Sequence, residues 1–384
     1  MKPLHWGPII PSPIRHFKRP NFKGPVKTNP LMKMKSQNQS WLTAPASKMK
    51  LLSVGIFLTT LVLLTAAGPI LLAAESLGSA VQPIATPCKL GDIRIRDPFI
   101  LADATLQIYY LVRSMAGFAT TRPGVAVFTS KNLEDWQGPT PVFEIPPDFW
   151  AQGAVWAPEM HHYNGKYYLF ATFNAAVGVN DPGPRDDKGL KRGTAILVAD
   201  SPLGPFKAFH NRAHTGADLL ALDGTFWVED GVPYMVYCHE WTQVKDGTIE
   251  LIQLKSDLSD TMGEPVTLFK GSDAPWTPRG NPTYVTDGPF LYRSKSGKLF
   301  MIWSSFASSY TTGIAVSDSG KVRGPWRQLS KPLYEADGGH GMIFNKFDGT
   351  LMLLLHAPNH DPERAHLFQL EDTGEALEIK RENP

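Results

Sequence analysis

The chain has 384 residues, 42% hydrophobic and 19% charged, with a formal net charge of +2. That average joins two unlike parts: residues 1–74 hold ten Lys or Arg and no Asp or Glu, which leaves 28 basic against 36 acidic side chains from Glu75 onward. An acidic globular part repels phosphates, so nucleic acid is excluded as a partner.

Residues 1–48 are rich in Pro and Lys and show no periodicity. They read as a disordered leader, or as untranslated sequence if synthesis starts at Met49. Residues 49–74 follow, with Lys50 opening an uncharged run from Leu51 to Ala74. A basic start and an apolar core are the pattern of a signal peptide; 24 uncharged residues also suffice for one membrane span. The expected location is therefore secreted or periplasmic. A membrane partner enters only if the 51–74 segment stays uncleaved as an anchor. Residues 75–90 form a linker, and 91–384 a single large domain. Of the two cysteines, Cys88 and Cys238, the second sits in an apolar strand, so a disulfide and a buried free thiol are both open.

After residue 90 one pattern occurs five times: a polar marker, an apolar strand, a turn, and a second apolar strand. The copies are RDPFILADATLQIYYLVRS (96–114), PEMHHYNGKYYLFAT (158–172), LDGTFWVEDGVPYMVYC (222–238), TDGPFLYRSKSGKLFMIWSS (286–305) and GHGMIFNKFDGTLMLLLHA (339–357). The turns Asn164-Gly165, Asp230-Gly231, Ser296-Gly297 and Asp348-Gly349 are strong hairpin signals, because Gly, Asn and Asp tolerate positive φ. Each hairpin is followed by a further pair of β-rich runs, and no long amphipathic helix is visible. Four-stranded units repeated five times predict an all-β fold, a five-bladed β-propeller with four-stranded blades around a central funnel.

The markers, Asp97, Glu159, Asp223, Asp287 and His340, are expected to converge on the propeller axis. Residues after the second strands share their rim: Phe173, Glu240 and Trp241 fall there, beside a Gly-, Pro- and Asp-rich insertion at 175–192. Carboxylates crowded in a partly dry funnel cannot all ionise alike. Splitting their pKa values yields a proton donor and a proton acceptor, the pair that glycosidic bond cleavage requires. Trp156 is a candidate sugar platform or a core residue between blades. No zinc-ligand spacing, phosphate loop or Gly-x-Ser-x-Gly motif is present.

The segments RDPFI, WAPEM, LDGTFWVEDG and TDGPFLY, in this order and spacing, resemble glycoside hydrolase family 43 over about residues 90–370. The resemblance implies a five-bladed propeller acting by inversion on arabinose-, xylose- or galactose-containing polymers. It assigns Asp97 as general base and Asp223 as the residue that orients the donor and raises its pKa. Asp287 stands where the family usually has Glu in Glu-Gly-Pro, so the donor is Asp287 or, as understudy, Glu240. Glu159 then supports the site, and Trp156, Glu159, Phe173, Glu240 and Trp241 are the substrate-binding candidates. His340 matches a His that in several members helps hold a calcium ion, or its waters, on the axis. The expected activity is cleavage of α-L-arabinofuranosyl linkages. Its alternatives are a β-xylosidase or galactan-cleaving enzyme of the same family, a retaining sucrose- or fructan-cleaving propeller, and a noncatalytic carbohydrate-binding propeller.

Overall fold

The computed structural model describes residues 87–115, 122–176 and 183–380. The leader, the 49–74 segment, most of the linker and the middle of the 175–192 insertion lie outside these. Among the described residues no helix is long and apolar enough to cross a membrane.

The described chain forms five antiparallel sheets arranged as a five-bladed propeller. Blade 1 contains β1 (Cys88–Lys89), β2 (Phe99–Asp103), β3 (Ile108–Ser114), β4 (Gly124–Ser130) and β5 (Asp135–Glu144). Blade 2 contains β6 (Val155–Tyr163), β7 (Lys166–Ala176), β8 (Leu190–Ala199) and β9 (Lys207–Ala208). In blade 3, β10 (Ala221–Glu229), β11 (Val232–His239), β12 (Thr248–Leu254) and β13 (Thr261–Lys270) follow in order. Blade 4 is β14 (Asp287–Arg293), β15 (Leu299–Phe306), β16 (Tyr310–Ser317) and β17 (Trp326–Gln328). Blade 5 is β18 (Gly339–Asn345), β19 (Leu351–Ala357), β20 (Arg364–Asp372) and β21 (Leu377–Ile379). The one described α-helix is a single turn, α1 (Trp241–Val244).

The residues ahead of β2 touch both the first and the last blade. β1 adds to the outer edge of blade 1 by pairing with β5. The next few residues reach the last blade, where Arg94 bridges Arg364 and the Ile95 N–H donates to the Glu363 carbonyl at 3.1 Å. Both cysteines are free thiols; Cys238 is fully buried in β11.

Middle strands bury both faces, and alternation decides which neighbour each side chain meets. In β7, Leu169, Ala171 and Phe173 join the core shared with blade 1, whereas Tyr168 and Phe170 join the core shared with blade 3. Completely burying a side chain of this size contributes about 1.5–3 kcal/mol. These inter-blade cores hold the inner strands β2, β6, β10, β14 and β18 around the axis, and so fix whatever their first residues carry.

Candidate active site

The inner strands begin with a bulge. Pairing of each inner strand with its neighbour slips between Trp156 and Glu159, Leu222 and Thr225, Asp287 and Phe290, and Gly339 and Met342. Inside each slip the backbone turns left-handed: φ is 41° at Ala157, 58° at Asp223, 50° at Gly288 and 46° at His340, with 51° at Asp97 in blade 1. These five residues are the true equivalents. The markers read from the sequence were one residue early at Asp287 and two late at Glu159. Bulges insert residues without changing the apolar pattern, so the sequence alignment drifts.

The consequence is that three carboxylates and one imidazole meet at different depths. His340 Nδ1 lies 3.3 Å from Asp97 Oδ1 and 3.6 Å from Asp223 Oδ2. The Gly288 N–H donates to Asp223 Oδ2 at 3.1 Å, and the Tyr310 hydroxyl donates to Asp287 Oδ2 at 3.0 Å. Backbone anchors hold the bends: the Asp223 N–H donates to Thr172 Oγ1 at 2.9 Å, and the His340 N–H to Ser304 Oγ at 2.9 Å. A Cβ at Gly288 would come within 2.6 Å of the His340 ring, so glycine is required there for contact as well as for φ.

His356 sets the orientation of Asp97. The Asp97 N–H donates to His356 Nδ1 at 3.2 Å, and His356 Nε2 faces Asn359 Oδ1 at 3.2 Å. The ring proton therefore sits on Nε2. Burial lowers the His356 pKa to about 4, so this ring is neutral near pH 7. The cations beside Asp97 are His340 and Arg96, whose Nε is 3.7 Å from Asp97 Oδ1.

This placement splits the acids. Burial would raise Asp97, but His340 and Arg96 hold it below the usual carboxylate range. Asp223 is pushed up to about 8 by burial and by the neighbouring Asp287 and Asp97 carboxylates, against the pull of His340. Asp287 is also raised, by burial first and then by Asp97. Burial would lower His340, yet Asp97, Asp223 and Asp287 together raise it. Three carboxylates crowded against one imidazole and the Arg96 guanidinium thus have their pKa values driven apart, Asp97 down and Asp223 and Asp287 up.

A cleft of about 240 Å³ opens beside this cluster, lined among others by Arg96, Asp97, Trp156, Ala157 and Glu363. That is below the range of roughly 300–1,000 Å³ for drug-sized ligands and suits one small ring. Trp156 is 38% exposed and carries the Arg192 guanidinium over its ring, 4.7 Å from the centroid. Arg192 also bridges Glu240 Oε1 and Asp186 Oδ2, so Glu240 reaches the rim already paired. Trp241 opens α1 on the same rim, half-buried.

One expected site residue lies elsewhere, and one pairs with a neighbouring histidine. Phe173 is fully buried against Phe149 and Phe143, because β7 runs to Ala176 and alternation carries residue 173 into the blade 1 core. Glu159 stands two residues beyond its blade's bend, with Oε2 2.8 Å from His161 Nε2, and its charge still acts on His340. Tyr310, Arg96, Thr172 and Ser304 were not among the sequence candidates. Arg96 opens the RDPFI segment, and Thr172 and Ser304 lie at or beside the ends of their repeat copies, but no local signal gives their partners; Tyr310 lies outside every motif. His340 spends Nδ1 on two carboxylates, and among the described residues no three His, Cys, Asp or Glu side chains form a metal-binding group.

The comparisons with known proteins converge on one family. The sequence profile of glycosyl hydrolases family 43 matches residues 90–379. An endo-arabinase structure from Bacteroides thetaiotaomicron VPI-5482 is similar at 40% identity and TM-score 0.66, covering 75% of this chain and 98% of that one. An α-L-arabinofuranosidase 43 of Humicola insolens is 23% identical over 219 residues, 53% of this chain and 42% of that protein. An extracellular exo-α-(1→5)-L-arabinofuranosidase of Streptomyces avermitilis is 25% identical over 237 residues, 56% of this chain and 47% of that protein. The chain thus spans less than half the length of the curated relatives it matches.

Proposed function

The chain belongs to glycosyl hydrolases family 43, and from that premise we propose that it hydrolyses α-L-arabinofuranosyl linkages of plant-type polysaccharides by an inverting single displacement. Asp97 removes a proton from the attacking water. Asp287 delivers one to the departing glycosidic oxygen. Asp223, beside the same imidazole and accepting the Gly288 N–H, orients the donor. The observation that supports this most is the opposed shift of two carboxyls at one site, Asp97 down and Asp287 up. Arabinose is supported by an endo-arabinase and two arabinofuranosidases among the relatives, and a putative β-xylosidase, 25% identical, keeps xylose as the alternative.

Burial raises the pKa of Glu240 as it does that of Asp287, but Glu240 is the weaker donor candidate because Arg192 already engages its Oε1. A calcium ion on the axis, held with the help of His340 directly or through its waters, is part of the proposal; its test is activity after EDTA and after readdition of calcium. Export is part of the proposal, supported by the 51–74 segment and by one relative described as extracellular. N-terminal sequencing of protein recovered from the medium or periplasm would check it.

The functional test is a panel of nitrophenyl pentosides and galactosides with the full chain, Asp97→Asn and Asp287→Asn. Turnover of the arabinofuranoside that both substitutions abolish is expected. Preference for the xyloside or galactoside moves the sugar assignment. Activity surviving Asp287→Asn moves the donor to Glu240, and sugar affinity without turnover in any form makes the protein a binding propeller.

A further inference from the structure

We propose that Tyr310 is the positioning residue that lets an aspartate act as proton donor at this site, by occupying Asp287 Oδ2 so that the transferable proton resides on Oδ1. The inference rests on the reading of Asp287 as the donor. It goes beyond that reading by naming the residue that compensates for a side chain about 1.5 Å shorter than glutamate.

The argument starts from placement. Tyr310 opens β16 and is 1% exposed, so its hydroxyl cannot touch a sugar, and a direct donor role is excluded. Its hydroxyl donates to Asp287 Oδ2 at 3.0 Å. In a neutral carboxylic acid the oxygen that accepts such a bond is the carbonyl oxygen; the acid proton is then on the other one. The ring cannot drift from this position. It stacks on His356 with centroids 5.7 Å apart and planes at 20°, and a Cβ at Gly339 would approach its Cε1 to 2.5 Å. His356 in turn accepts the Asp97 N–H. Donor and base are the two ends of one chain of contacts: Asp287, Tyr310, His356, Asp97.

The proton balance follows. The Oδ1–H bond of Asp287 breaks as the proton passes to the glycosidic oxygen, whose bond to the anomeric carbon breaks. Water bonds to that carbon and gives its proton to Asp97. Asp287 ends as an anion, and the Tyr310 hydrogen bond becomes charge-assisted only at that stage. An interaction that strengthens as charge develops lowers the barrier and leaves ground-state binding alone.

The experiment measures kcat for wild type, Tyr310→Phe and Asp287→Asn on aryl glycosides of the sugar the wild type prefers, from phenyl to dinitrophenyl leaving groups. Good leaving groups need no protonation. Tyr310→Phe is expected to lose roughly 10²-fold on the phenyl glycoside and little on the dinitrophenyl one, with KM unchanged. Asp287→Asn should show the same slope, steeper. A uniform loss, or none, in Tyr310→Phe while Asp287→Asn keeps its slope overturns the role of Tyr310 and leaves the donor assignment standing. No leaving-group dependence in Asp287→Asn removes the donor assignment, and this proposal with it. Should Tyr310→Phe fail to fold, 3-fluorotyrosine at position 310 keeps the ring and strengthens the donor. A shallower leaving-group slope is then expected, and an unchanged slope overturns the proposal.

Discussion

Both ends of the inner hairpins use left-handed backbone, and they use it differently. At the turn end the residues are Asn164 (φ 48°), Gly165 (76°), Asp230 (51°) and Gly231 (78°), with Gly297 (87°) and Gly349 (84°) in the later blades. A Cβ at any of these four glycines would meet nothing within 4 Å. Here positive φ serves only to reverse the chain, and the residues that do it at least cost are present. At the axial end Asp97, Ala157, Asp223 and His340 take the same conformation with side chains that pay for it, and Gly288 takes it under a packed imidazole. Ala157 has no polar group to soften that conformation. Strain retained at one end of a repeat and absent from the other marks where position matters more than stability.

That contrast can be broken in several ways, beginning with the largest effect. Asp97→Asn should lower kcat by about 10³-fold while leaving the melting temperature nearly unchanged, measured by hydrolysis and by circular dichroism. An effect below tenfold would separate the axial bend from catalysis.

Gly288→Ala and Gly231→Ala compare the two ends directly. The first drives a methyl into His340, 2.6 Å away, and should cost roughly 10²-fold in kcat by shifting the imidazole between Asp97 and Asp223. The second lies in open space and should destabilise by about 1 kcal/mol without changing kcat. Equal kinetic losses from both would erase the distinction.

The axial acids also predict a pH dependence of stability. The folded pKa of Asp223 is raised above its unfolded value, so the native state binds the extra proton between the ordinary Asp range and about 8. Its contribution is present at low pH and is lost as pH rises through that window. Asp223→Asn should therefore melt higher than wild type near pH 8 and no higher near pH 4, by thermal scans at both. The reverse order would contradict the buried, raised acid.

The smallest effects belong to the rim. Trp156→Ala should raise KM by about tenfold or less with kcat nearly constant, because stacking contributes to binding at every stage. Glu240→Gln should change kcat by less than about tenfold.

The repeat and its hairpins were plain in the sequence because apolar alternation and Asn-Gly or Asp-Gly turns are local signals. Asp97, Asp223 and His340 were legible for the same reason: each stands at the head of a strand. The equivalence of Asp287 and Glu159 with them was misjudged, since a bulge shifts register silently. Phe173 was misplaced because nothing local says that β7 extends three residues further. Tyr310 was invisible, as its role depends on a hydrogen bond made 23 residues away in sequence. Arg96 contacts Glu363 at 3.4 Å and Asp97 at 3.7 Å, partners that the sequence order alone does not give.

The most direct measurement is the anomeric configuration of the first sugar released from an aryl α-L-arabinofuranoside, followed by ¹H NMR before mutarotation. A base at Asp97 and a donor at Asp287 acting in one displacement predict the β-anomer first. Initial release of the α-anomer would mean a covalent intermediate, and would contradict the assignment of Asp97 as a base that activates water.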